Sequence, residues 1–314
     1  VFNKTATFSW VFTDSTFLFE YDSIPRFLLK DADLMCFSKN DTSIIEQTSG
    51  IFYPDNLQWV GEGGKVTWQR FDLEPDSVFA RLSSYDINLK FASYTADSAV
   101  FVNKTFFDDM LVGRFEEKIF SSKPSATTSY PRFISYVKNL GLRNLFKGID
   151  YEGGFSMEGL KIIGSGDKAK NGRLRIRIDE DKYIILNSHA FSIARNNQIT
   201  ANPASVAIIF SGDSIYHPSL QMKYHDPSRT LTLMRTDKGV SQSPFFNTYH
   251  KVDTYCEQLT WHLDSVDVNF NSIMGIQRAS DASFISTSFY SEGSFNRLQG
   301  IDKKNPLYVL RNYS

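Results

Sequence analysis

The stretch Gly212–Arg235, GDSIYHPSLQMKYHDPSRTLTLMR, decides how the chain is read. In SLQMKY, Leu220, Met222 and Tyr224 alternate with Ser219, Gln221 and Lys223. In RTLTLMR, Leu231 and Leu233 alternate with Thr230, Thr232 and Met234. Successive side chains of a strand point to opposite faces, so an apolar residue at every second position marks a strand with one buried face. The dipeptides His217-Pro218 and Asp226-Pro227 read as turns. The stretch is therefore expected to run turn, strand, turn, strand.

The same stretch holds the residues that look most like chemistry. His217 and His225 stand eight residues apart, with Asp213 and Asp226 beside them. Two imidazoles and a carboxylate could hold a metal ion. Zinc spacings are usually tighter, and the competing reading of two histidines at strand ends fits the residues better.

Strand signals continue along the chain. GRLRIRID places Leu174, Ile176 and Ile178 on one face and Arg173, Arg175 and Arg177 on the other, and SVAIIF and DKYIILN are apolar runs of strand length bounded by turn residues. Aromatic residues make up 15% of the chain, with 27 Phe and 15 Tyr, and such residues favour pleated surfaces. One segment, Tyr130–Leu145, spaces Phe133, Val137 and Leu140 as a helix would, with Pro131 near its first turn. The expected fold is all-β: an elongated β-helix or stacked β-sheets with one short helix near 131–141, or alternatively two β-sandwich domains. The expected parts are a β-rich 1–122, a linker plus short helix at 123–147 that follows the polar run Ser121–Ser129, and a β-rich 148–314. The outer two could share one continuous core.

A short pattern of Asp, Ser or Thr, then apolar residues recurs at Asp14, Asp22, Asp41, Asp76, Asp97, Asp213 and Asp264. An Asp side chain bonds its own backbone two residues on, so each copy is expected to turn the chain into a strand. The glycine-rich GEGGKVTW and GSGDKAKNGR match no phosphate loop and read as hairpin turns.

Lys plus Arg total 34 and Asp plus Glu total 35, a balance that gives no broad attraction to nucleic acid or an anionic membrane. The sequence contains no apolar run of transmembrane length. Cys36 and Cys256 are the only cysteines, which excludes a disulfide scaffold but leaves open one disulfide or two buried thiols. His250 and Cys256, six residues apart, would lie far from each other on an extended strand and make a poor nucleophilic pair. The many acidic pairs, such as Glu116-Glu117, single out no two opposed carboxylates of the kind a glycosidase uses. No catalytic residue, metal or cofactor is assigned, and the reading leans away from an enzyme. The aromatics suggest a surface for sugar rings or partner chains, with Trp59, Trp68, Tyr53, Phe245 and Tyr249 as the expected ligand-binding residues.

WVGEGGKVTWQRFDLEPDSVFARLSSY, TADSAVFVNKTFF, GIDYEGGFSMEGLKIIGSG, the opening stretch and VSQSPFFNTYHKVDTY together resemble segments of large, uncharacterised β-rich envelope proteins of Gram-negative bacteria. The resemblance implies an internal fragment of an exported protein, secreted or held in the cell envelope, and carries no activity. A fainter likeness, in its alternating short strands alone, is to the β-jelly-roll lipid-conduit proteins of the envelope. The expected function is a non-enzymatic structural or binding segment, with polysaccharide or other envelope proteins as partners. The alternatives are a carbohydrate-binding or carbohydrate-active module and an apolar-groove lipid carrier.

Overall fold

The computed structural model describes residues 1–271 and 282–287, apart from 14, 15, 22, 108, 167–169, 195, 196, 237 and 238. The described chain is all-β. It contains strands, the two 3-10 turns Gln69–Phe71 and Gly239–Gln242, and no α-helix. Every ladder with a described register is antiparallel, including those between neighbours in sequence such as Lys161–Ser165 on Ile149–Glu158. Antiparallel neighbours form hairpins and meanders, so the parallel coils of a β-helix are not what the described residues build. Two compact units are present. The first comprises 1–175, 187–202 and 224–227, and the second comprises 176–186, 203–223 and 228–314.

In the first unit, the long strand Thr42–Tyr53 pairs with Pro25–Ser38 on one side and Gln58–Glu62 on the other. Its register sets Gly50 opposite Gly61. The pair exists to seat an indole: a Cβ at Gly50 would lie 2.7 Å from Trp59 Cζ2, and one at Gly61 would lie 2.5 Å from Tyr85 Cζ. GEGGKVTW is not a hairpin. Glu62 pairs with Ser49 and Lys65 with Glu46, so Gly63 and Gly64, at φ 70° and 114°, form a corner that returns the chain to the same strand. The expectation failed because two glycines license a corner as readily as a reversal.

The expected helix near 131–141 is absent. Arg132–Ser135 and Leu140–Phe146 are strands, both paired with Ile149–Glu158. Phe133 and Ser135 alternate inward, whereas Tyr136 and Val137 are exposed, so the helically spaced apolar residues share no buried face. Cross-strand pairing settles the choice. Phe133 sits between Phe115 and Met157, and its ring stacks on Phe101 at 4.5 Å. Arg132 sits between Glu116 and Glu158 and reaches them at 3.7 and 2.8 Å.

In the second unit the core is formed by Ile208, Ile215, Leu220, Leu231, Leu233, Phe245 and Trp261, among others. Ser211 and Gly212, at φ 43° and 105°, form the expected turn between Gln198–Phe210 and Asp213–His225. The opening stretch differs from its reading at one point. Asp213–His225 is a single strand of 13 residues that runs straight through Pro218, as Gln198–Phe210 runs through Pro203. A proline interrupts a ladder only where its missing N–H would have been donated.

Candidate ligand-binding face

The second unit carries an exposed sheet face that its ladders build residue by residue. Tyr216 is the register partner of Phe246, Phe246 of Asp253, and Asp253 of Ile285. Alternation directs the neighbours of this row inward. Ile215 and His217 flank Tyr216 and are buried, Phe245 and Asn247 flank Phe246 and are buried, and Thr254 lies inward beside Asp253. Tyr216 is 41% exposed and Phe246 40%. Their rings stand within 22° of parallel with centroids 6.4 Å apart. Tyr255, two residues beyond Asp253 on the same strand, adds a third exposed ring to that face. The row thus combines apolar ring surface, a half-buried carboxylate and phenolic hydroxyls.

The expected binding residues divide. Trp59 and Trp68 are both 0% exposed, so neither ring is a surface platform. Trp68 packs edge-on against Phe101 at 5.3 Å and Phe115 at 5.9 Å, and Trp59 lies 4.6 Å from Phe12. Tyr53 ends its strand half-buried. Phe245 is a core residue, and the exposed ring is its neighbour Phe246. Tyr249 is exposed, with its ring 5.9 Å from Phe210. Of the five, Phe245 and Tyr249 lie in the same unit as the exposed row, whose own rings, Tyr216, Phe246 and Tyr255, are not among the five.

His217 is buried and fully employed. Its Nε2–H donates to the Ser243 carbonyl at 2.9 Å, and its Nδ1 accepts from the Ser219 N–H at 3.1 Å. Burial pulls its pKa down to about 4, against the pull of the Ser243 carbonyl. Neither nitrogen is left for a metal. His225 lies half-buried at the far end of the same strand. Among the described residues, no three His, Cys, Asp or Glu gather as a metal ion would need. Cys36 and Cys256 are buried free thiols, which burial pushes up to about 12 and about 11 respectively.

The densest polar chemistry in the first unit is a buried cluster that sequence spacing did not suggest. Arg70 Nη1 donates to both carboxylate oxygens of Asp41 at 3.1 Å, and Nη2 donates to Glu117 Oε1 at 2.8 Å. Ser43 Oγ donates to Glu117 Oε2 at 2.9 Å, the Lys118 N–H to Oε1 at 2.8 Å and the Phe120 N–H to Asp41 Oδ2 at 3.1 Å. The 3-10 turn Gln69–Phe71 carries the guanidinium inward. Burial raises the Glu117 carboxyl to about 7, and Arg70 limits the rise. Both carboxylates are held by protein donors, which ties three separated segments together. A cleft of about 250 Å³ opens beside Arg70, lined by Thr42, Ser43, Glu46, Thr67 and Gln69.

No helix among the described residues is long and apolar enough to cross a membrane. No family model, no curated protein and no solved structure matches this chain.

Proposed function

We propose that this chain is a non-enzymatic binding segment of a larger exported envelope protein and that its ligand is a polysaccharide. The observation that carries the reading is the exposed row Tyr216–Phe246–Asp253 with Tyr255 beside it. A sugar ring is amphipathic: its C–H faces pack on aromatic rings, and its hydroxyls donate to carboxylates. Large aromatic side chains left exposed on one sheet face mark interaction sites rather than spare core. The described polar clusters do not favour catalysis, because the carboxylates of Asp41 and Glu117 are occupied by Arg70, Ser43 and backbone donors. The even charge supports a neutral glycan over a strongly charged one.

Retention of the chain on insoluble polysaccharide, with competition by soluble oligosaccharide, tests the reading. Phe246→Ala should release the chain, while Tyr53→Ala should leave retention unchanged.

A further inference from the structure

The first unit contains a second concave feature, remote in sequence from the aromatic row. A pocket of about 330 Å³ opens between the turn Asp72–Val78 and the strands bearing Asn103, Met157, Ile162 and Ile193. Its volume falls in the range of small-molecule sites. Met157, Ile162, Ile193 and Val78 are buried and give it an apolar floor. Asp72 and Glu74 are exposed lining residues and so stand at its mouth. None of the described lining residues is basic.

Its most buried polar group is an amide that plays no part in the choice of charge. Asn103 is 1% exposed, and its side-chain oxygen accepts from the Thr105 N–H at 3.2 Å. Its Nδ2 has two hydrogens to donate, and its partner is the Met157 sulfur at 3.6 Å, a weak acceptor. The amide is therefore weakly bonded for so buried a group, and it faces the apolar floor and not the carboxylates at the mouth.

The geometry points to a binding site for a small organic amine. Its apolar body would lie on Met157, Ile162 and Ile193, and its ammonium group at the Asp72 and Glu74 carboxylates. The two carboxylates repel an anionic head and attract a cationic one, whereas the floor rewards any alkyl or aryl body equally. Charge, and not shape, should therefore discriminate among ligands of one size.

The test uses the whole chain and three probes of equal length: hexylammonium, hexanol and hexanoate. The methyl resonance of Met157, assigned with Met157→Leu, reports occupancy directly. Hexylammonium should shift it saturably and bind about tenfold more tightly than hexanol, a difference of one decade in affinity, with hexanoate weakest. Asp72→Asn with Glu74→Gln should erase that preference while hexanol binding persists; Asn tolerates the left-handed backbone of residue 72, at φ 58°. Ala194→Trp should fill the pocket and abolish all three shifts. Should that variant fail to fold, the paired carboxamide variant decides alone. No saturable shift with hexylammonium, or equal affinity for hexanoate, overturns the proposal. Neither result bears on polysaccharide retention, which depends on the other unit.

Discussion

Arg70 Nη2 donates to Glu117 Oε1 at 2.8 Å, and the same guanidinium spans both oxygens of Asp41. One cation thus serves two carboxylates where little water reaches. Removing it leaves two buried like charges, so Arg70→Met should cost about 3–5 kcal/mol of unfolding free energy. Glu117→Gln keeps the Asp41 pair and should cost far less. Urea unfolding of both variants checks the order, and an Arg70→Met chain as stable as the parent would show that the cluster is dispensable.

The two units should respond to pH with opposite sign. In the first unit, the Glu117 carboxyl is raised from 4.5 to about 7 in the folded state, so the folded unit binds the extra proton between those values. Its contribution is full below 4.5 and is lost as pH rises through 7. In the second unit, His217 is lowered from 6.5 to about 4, so the unfolded chain binds the extra proton. Its contribution is full above 6.5 and is lost as pH falls through 4. Hydrogen exchange followed segment by segment should show protection in the first unit weakening from pH 5 to 7 and that in the second weakening from pH 6 to 4. Glu117→Gln should flatten the first trend only, and His217→Gln the second only.

Gly61→Ala should destabilise the first unit by about 1–3 kcal/mol, the usual cost of forcing an extra methyl into a packed core. The added carbon would meet the Trp59 indole and lie 2.5 Å from Tyr85 Cζ. Trp59 fluorescence during thermal unfolding reads the effect. Gly212→Ala, where the space is open, tests backbone strain alone, since its φ is 105°.

The strand Phe17–Tyr21 leaves Phe17, Leu18, Phe19 and Tyr21 exposed, and among the described residues it pairs only with Pro25–Leu29. An apolar edge of this kind invites association. Phe19→Lys should raise the concentration at which light scattering first detects assemblies, with no loss of secondary structure. Unchanged scattering would show that this edge is not what associates.

Much of this architecture was legible in the residues. Where one face is buried and the other wet, alternation is read directly: GRLRIR buries Leu174 and Ile176 and exposes its arginines, as its spelling says. Features that depend on pairing across the fold escaped. Phe133 and Leu140 mimic helical spacing, and only the ladder from Phe115 through Phe133 to Met157 resolves the ambiguity. Phe245 and Phe246 are identical letters, so which one faces out depends on register, and a one-residue slip reverses it. Arg70 lies 29 residues from Asp41 and 47 from Glu117, and no local pattern announces a contact made by folding. The recurring Asp-Ser/Thr pattern likewise leads to different places. Asp213 begins a strand, Asp97 sits at a bulge within one, and Asp41 is buried against Arg70.

Binding of polysaccharide by the row Tyr216–Phe246–Asp253, as proposed, is tested most directly by an array of immobilised glycans. The intact chain should bind at least one neutral glycan, and Tyr216→Ala with Phe246→Ala should abolish that signal without shifting the thermal unfolding midpoint. An intact chain that binds nothing on the array, or a double variant that binds as well as the parent, would contradict the account.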